Sequence, residues 1–271
     1  MNFTVSNIAW SNSFDEQAFE KLASLGVAAL EVAPTRLWPD WVDQSMESAS
    51  AYRKQYQSRG MQIPSLQAIL FGKPDYKLFG TVEQRNNLVR HLCLCADIAE
   101  SLGARRLVFG APKNRDRSGL PDEEAFNIAA DSFAVVGEYY SKKALILCLE
   151  ANPTQYGCNF LTNSQQAAKL VRALHSPGVG LHLDTACMHL AGENISNSIR
   201  ENADILCHFH VSEPNLNHFN EPVIDHASVA ATLRDIGYNQ WISLEMREAE
   251  PVMANLESAV RFVSSTYGFG L

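Results

Sequence analysis

Four segments in the C-terminal half of the chain end apolar runs on an acid or an imidazole: LILCLEA (145–151), VGLHLDT (179–185), ILCHFHVSE (205–213) and WISLEMR (241–247). Side chains along a strand alternate in direction, so residues two apart share a face. With Leu145, Leu147 and Leu149 outward, Ile146, Cys148 and Glu150 point inward. The same parity turns Leu181 and Leu183 outward and His182 and Asp184 inward. It also sends Cys207, Phe209 and Val211 outward against His208, His210 and Ser212, and Ile242 and Leu244 outward against Ser243 and Glu245. Taken singly, each acid is a rim residue meeting solvent or capping a helix. Four at matching depth are a shared site. Three carboxylates in one place repel strongly unless a cation neutralises them. Oxygen donors with one nitrogen, and no thiolate at that depth, suit one divalent Mg²⁺, Mn²⁺ or Co²⁺ better than a closed structural zinc site. Open coordination positions would then let a substrate carbonyl and its neighbouring hydroxyl meet a Lewis acid.

Positioning such residues requires a scaffold of strands ending at a common face. Strand patterns occur at 3–10, 28–34, 63–70, 105–110, 145–151, 179–185, 205–213 and 241–247. Helical patterns occupy 15–25, 46–59, 82–102, 122–142, 164–175, 195–203, 227–236 and 252–266, with Gly26, Gly60 and Gly237 as stop signals. The Leu/Ala/Cys stripe of 82–102, including Cys93, reads as packing. No repeat of fixed period and no linker interrupts the alternation, and no GxGxxG follows the first strand to favour an open doubly wound sheet. Eight pairs in 271 residues predict an α/β fold of the (β/α)8 TIM barrel type, one domain over 1–271.

Hydrophobic residues at 46% and charged residues at 19% are ordinary globular values. No apolar run approaches the ~20 residues that span a bilayer, and MNFTVSNIAW lacks the basic start and long apolar stretch of a signal peptide. A net charge of −8 disfavours nucleic-acid partners. The six cysteines, with no CxxC pair, read as free thiols of a cytoplasmic protein.

The segments LEANP around Glu150, HLDTACMHLAGE around Asp184, HFHVSEPN around His210 and SLEM around Glu245 carry a resemblance. In them the chain resembles the xylose isomerase-like sugar isomerase and epimerase barrels, a superfamily that also holds endonuclease IV. The order Glu, Asp, His, Glu at spacings of 34, 26 and 35 residues is similar to the metal quartet of ketose 3-epimerases. That likeness implies a divalent-metal-dependent isomerase or epimerase acting on a small ketose, aldose or sugar derivative. Glu150 and Glu245 would exchange protons through an enediolate, and Asp184 and His210 would be ligands only. It admits homo-oligomers. The chain departs from the pattern at Cys187, where the family often has His, and at Leu216, where epimerases place Arg. Endonuclease IV takes extra histidines from its third and fourth strands, which read IPSLQAIL and RRLVFG here and supply none. A barrel that binds a sugar without turning it over is the remaining alternative.

Further candidates surround the quartet. His182 and His208, one layer deeper, are expected to orient the ligands or to be satisfied core histidines. Glu31, Gln67, Cys187, His189 and His226 are candidates for substrate hydroxyls, with His226 equally a residue beside the capping Asp225. Lys113 and Arg115 in GAPKNRDR, and Arg247 after Glu245, are candidates for an acidic substrate group, or else solvated charges. Trp38 and Trp41 sit in a loop, RLWPDWVD, long enough to form an aromatic lid over a sugar face, and Trp10, Phe71, Tyr156 and Phe160 are further rings near the mouth; ordinary packing under long loops is the alternative.

Overall fold

Val, Ile and Leu recurring at every second position give each strand one apolar row, and a parallel sheet hides such rows beneath helices on its outer face. The computed structural model describes residues 1–270. Its strands are β1 (Asn2–Ser6), β2 (Ala29–Val32), β3 (Gln62–Leu66), β4 (Arg106–Phe109), β5 (Ile146–Glu150), β6 (Val179–Asp184), β7 (Leu206–Val211) and β8 (Trp241–Leu244). All pair in parallel, in chain order, and β8 closes on β1 to complete the barrel. The helices are α1 (Asp15–Ser24), α2 (Pro34–Leu37), α3 (Met46–Ser58), α4 (Val82–Leu102), α5 (Asp122–Ser141), α6 (Ser164–Leu174), α7 (Thr185–Leu190), α8 (Ile195–Glu201), α9 (His226–Asp235) and α10 (Val252–Tyr267).

Outward Leu147, Leu149, Leu181, Leu183, Phe209, Val211, Ile242 and Leu244 are all buried. At roughly 25 cal/mol per Å² of apolar surface removed from water, this layer is the main favourable term for the fold. Phe109 of β4 meets Phe133 of α5 edge-to-face at 5.2 Å between ring centroids. On α4 the buried stripe is Leu88, His91, Leu92, Cys95, Ala99 and Leu102, so Cys95 packs in it and Cys93 sits half-buried at its edge. That helix begins on a capping box: the Gln84 amide N–H donates to Thr81 Oγ1 at 3.2 Å and Thr81 N–H to Gln84 Oε1 at 3.0 Å.

The register shifts between β2 and β3, where Ala29 pairs with Gln62 but Glu31 with Ser65, and again between β6 and β7. Leu181 pairs with Leu206 but His182 pairs with His208, which makes Cys207 the extra residue of a bulge. Cys207 therefore turns toward Cys148, with Sγ atoms 3.3 Å apart, rather than outward. All six cysteines are free. Among the described residues no helix is long and apolar enough to cross a membrane.

Candidate active site

Glu150 and Asp184 are the last residues of β5 and β6, His210 is the penultimate residue of β7, and Glu245 follows directly on β8. The backbone N–H of Glu245 still donates to Val211 O at 2.9 Å, so the sheet fixes its position. Glu150, Asp184 and His210 each offer an atom within 4.8 Å of the others. His210 Nδ1 lies 3.1 Å from Glu245 Oε2 and 3.9 Å from Asp184 Oδ2. All four line one cavity of about 670 Å³ at the C-terminal mouth of the barrel.

Local chemistry holds each carboxylate in place. Asp184 caps α7: Oδ1 accepts from Cys187 N–H at 2.7 Å, and Oδ2 accepts from the Ser212 hydroxyl at 2.6 Å. Arg115, fully buried, donates to the Glu150 carbonyl at 2.7 Å and to Asn152 Oδ1 at 2.6 Å, which pins the end of β5. Gly110 makes room beside it, since a Cβ there would overlap Glu150 Oε2. Gly110→Ala is therefore expected to displace that carboxylate and weaken divalent-metal binding about 10- to 100-fold with the fold retained. Metal titration followed by circular dichroism checks this; unchanged affinity would contradict the packing.

The donor set fits a divalent cation. Burial, then the Asp184 charge, pushes Glu150 up to about 8. Burial, then Glu245, raises Asp184. His210 is raised well above its ordinary value: burial opposes this, but the Glu31 and Glu245 carboxylates prevail. Carboxyl groups that hold protons this tightly are crowded anions without enough positive charge. Within this geometry His210 would present Nδ1 to the ion.

Behind the quartet lies a buried acid. Glu31 of β2 is wholly enclosed; His208 Nε2 meets its Oε2 at 2.6 Å, and His210 Nε2 lies 2.7 Å from Oε1. Burial would raise Glu31, yet His210 and His208 hold it well below the usual carboxylate range. Glu31 thus meets the His210 ring as a charge partner on the side opposite Nδ1. His182, against His210 with ring centroids 4.1 Å apart, has neither ring nitrogen hydrogen-bonded. Burial and the two neighbouring histidines hold it well below its ordinary value, which keeps it neutral.

A family model described as a xylose isomerase-like TIM barrel matches residues 19–266. The chain belongs to that family. A ketose 3-epimerase of Arthrobacter globiformis is 26% identical over 102 residues, which is 38% of this chain and 35% of that protein. The match thus spans about a third of the length of that relative. A solved structure of D-psicose 3-epimerase from Clostridium cellulolyticum H10 with D-tagatose has a TM-score of 0.83 at 17% identity, covering 98% of this chain and 99% of that one. The IOLI protein, solved with a zinc atom bound, has a TM-score of 0.76 at 18% identity with both chains covered in full. These two likenesses establish the fold.

In this xylose isomerase-like barrel, other expected site residues divide by access. Gln67, Lys113 and Cys187 line the cavity. Arg115 does not, because its guanidinium is consumed by β5 and Asn152; Glu31 does not, because it serves the histidines. His226 is buried between Glu213 Oε1 and the Tyr267 hydroxyl, each at 2.8 Å, where it ties the start of α9 to α10. His189 and Arg247 are exposed outside the cavity, and Arg247 donates to Asn217 Oδ1 at 3.0 Å. Trp38 and Trp41 form no lid: both are buried, with Trp41 Nε1 donating to Phe71 O at 2.8 Å. Lys73 on the cavity wall and Asn152 are not among the expected residues, and Ser212, expected to face inward, has no site role in that expectation. Asn152 and Ser212 lie two residues beyond Glu150 and His210 on the same parity, a signal open to reading; Lys73 follows β3 in a loop without periodicity.

Proposed function

We propose that this chain is a divalent-metal-dependent isomerase or epimerase of a small ketose, aldose or sugar derivative. The convergence of Glu150, Asp184, His210 and Glu245 at one end of a large cavity carries the reading. The ketose 3-epimerase relative and the zinc-bound neighbour support it. A bound Mn²⁺, Mg²⁺ or Co²⁺ would supply positive charge where a carbonyl oxygen becomes negative.

The chain's own residues do the rest. Glu150 and Glu245 are the proton-exchanging pair: one carboxylate takes the proton beside the carbonyl, leaving an enediolate of the substrate, and a carboxyl group returns a proton. Asp184, held by Ser212 and the Cys187 amide, and His210, paired with Glu31, would hold the ion as ligands. Whether the proton returns to the same carbon or to its neighbour decides epimerisation against isomerisation.

Solvent deuterium incorporation into a panel of ketoses and their phosphates tests the reading, because it reports proton abstraction whatever the product. Label is expected in at least one sugar, to vanish with EDTA and to return with Mn²⁺, Co²⁺ or Mg²⁺. Undiminished labelling after complete metal removal would refute the mechanism, and binding without any labelling would mark a sugar-binding barrel instead.

A further inference from the structure

Apart from its acidic floor, the cavity offers a substrate few unoccupied polar groups. Ile69, Leu70, Phe71, Val108, Pro112 and Leu216 make much of the wall. The amide nitrogens on it are engaged: Gln67 Nε2 donates to Ser6 Oγ, and Asn152 joins Arg115 to Cys187. Asn114 Nδ2 donates to the carbonyls of Lys73 at 2.7 Å and Tyr76 at 2.8 Å. A neutral polyol reaching up this wall would leave hydroxyls unpaired, at a cost of about 1–3 kcal/mol for each one desolvated.

Two cationic groups, Lys73 and Lys113, line the same cavity. Among the described residues neither has a carboxylate within 4.0 Å, in a chain whose net charge is −8. Their placement is prepared by the fold. Asn114 sits beside Lys113 and bonds the Lys73 carbonyl, while the Leu78 N–H donates back to the Asn114 carbonyl at 2.8 Å. Asn114 therefore clamps the loop after β3 to the loop after β4. Lys73 itself packs over the Trp41 and Tyr76 rings, at 6.0 and 5.7 Å from their centroids.

We propose that the substrate bears a phosphate or carboxylate at the end away from its carbonyl, and that Lys73 and Lys113 bind this acidic group. The inference rests on the isomerase reading for the placement of the carbonyl at the quartet. Ammonium groups are donors only and pair with either acid through charge-assisted hydrogen bonds.

D-fructose, D-fructose 6-phosphate and D-fructuronate share one keto end and differ at the other. Calorimetric titration of each into the Mn²⁺-loaded chain is the test. One or both acids are expected to bind at least about 10-fold tighter than the neutral sugar, and this advantage should shrink at about 0.3 M salt. It should fall toward unity in the K73A/K113A double variant and persist in K73R/K113R. Lys54→Ala, on α3 outside the cavity, should leave it intact. A gain for one acid alone identifies the group and supports the proposal. Equal binding of all three sugars, or an acid preference that survives K73A/K113A, overturns it. Deuterium labelling of the same sugars is read separately: lysine-dependent binding without label defeats the isomerase reading and leaves the acid-binding site standing, whereas label without acid preference does the reverse.

Discussion

Glu150→Gln and Glu245→Gln are each expected to lower turnover by about 10²- to 10⁴-fold, the span of general acid–base catalysis, with the barrel intact. The amide keeps the shape of the carboxyl and loses its capacity to accept or return a proton. The fold should tolerate both changes. The bond from Arg115 that pins β5 reaches the Glu150 backbone carbonyl, and the backbone N–H of Glu245 stays on Val211 O. Glu150→Gln should even stabilise the metal-free protein, because it removes a carboxyl whose ionisation burial, and then Asp184, resists. Turnover at saturating Mn²⁺, measured beside bound metal and melting temperature, separates proton transfer from ligand loss. Near-normal turnover in both variants, with metal bound, would rule out the assigned pair.

The metal-free protein should also lose stability as pH rises, as buried acids that hold their protons require. Glu150 is held at about 8 against an ordinary 4.5, and Asp184 and His210 are raised as well. A group whose folded value lies above its unfolded one binds protons more tightly in the folded state. Its contribution is complete below the unfolded value and is lost as pH climbs through the folded one. For Glu150 that window runs from 4.5 to about 8. Glu31 is shifted the opposite way, and its loss falls in more acidic solution. A loss of about 3 kcal/mol corresponds to a melting temperature roughly 5 °C lower at pH 8 than at pH 5. Excess Mn²⁺ should flatten the profile, because a cation stabilises the ionised carboxylates. Thermal melts across this range, with EDTA or with Mn²⁺, provide the measurement; a metal-free profile that is flat or rises with pH would count against the crowding.

Strand ends were harder to read than strand cores. The run FTVSNIAW reads as a strand over 3–10, but β1 is Asn2–Ser6, and Asn7–Ala9 form a 3-10 turn that remains mostly buried. IPSLQAIL reads through to residue 70, whereas β3 stops at Leu66 and Gln67–Leu70 line the cavity. In both cases loop residues folded over the barrel mouth are as apolar as strand residues, so composition does not mark where pairing ends. Helix α7 was hidden for a related reason. Asp184 is at once the last residue of β6 and the cap of that helix.

The sequence by itself determined the eight-unit barrel and the inward parity of Glu150, Asp184, His210 and Glu245, because alternation and helical spacing are local properties recorded within a few consecutive residues. Tertiary structure alone decided which polar groups remain available to a substrate. Glu31 is spent on His208, 177 positions away, Arg115 on the end of β5, and His226 on Glu213 and Tyr267. Lys73 and Lys113 are left facing the cavity without acidic partners. Such pairings depend on distances across the closed sheet, and neighbours in sequence carry no trace of them.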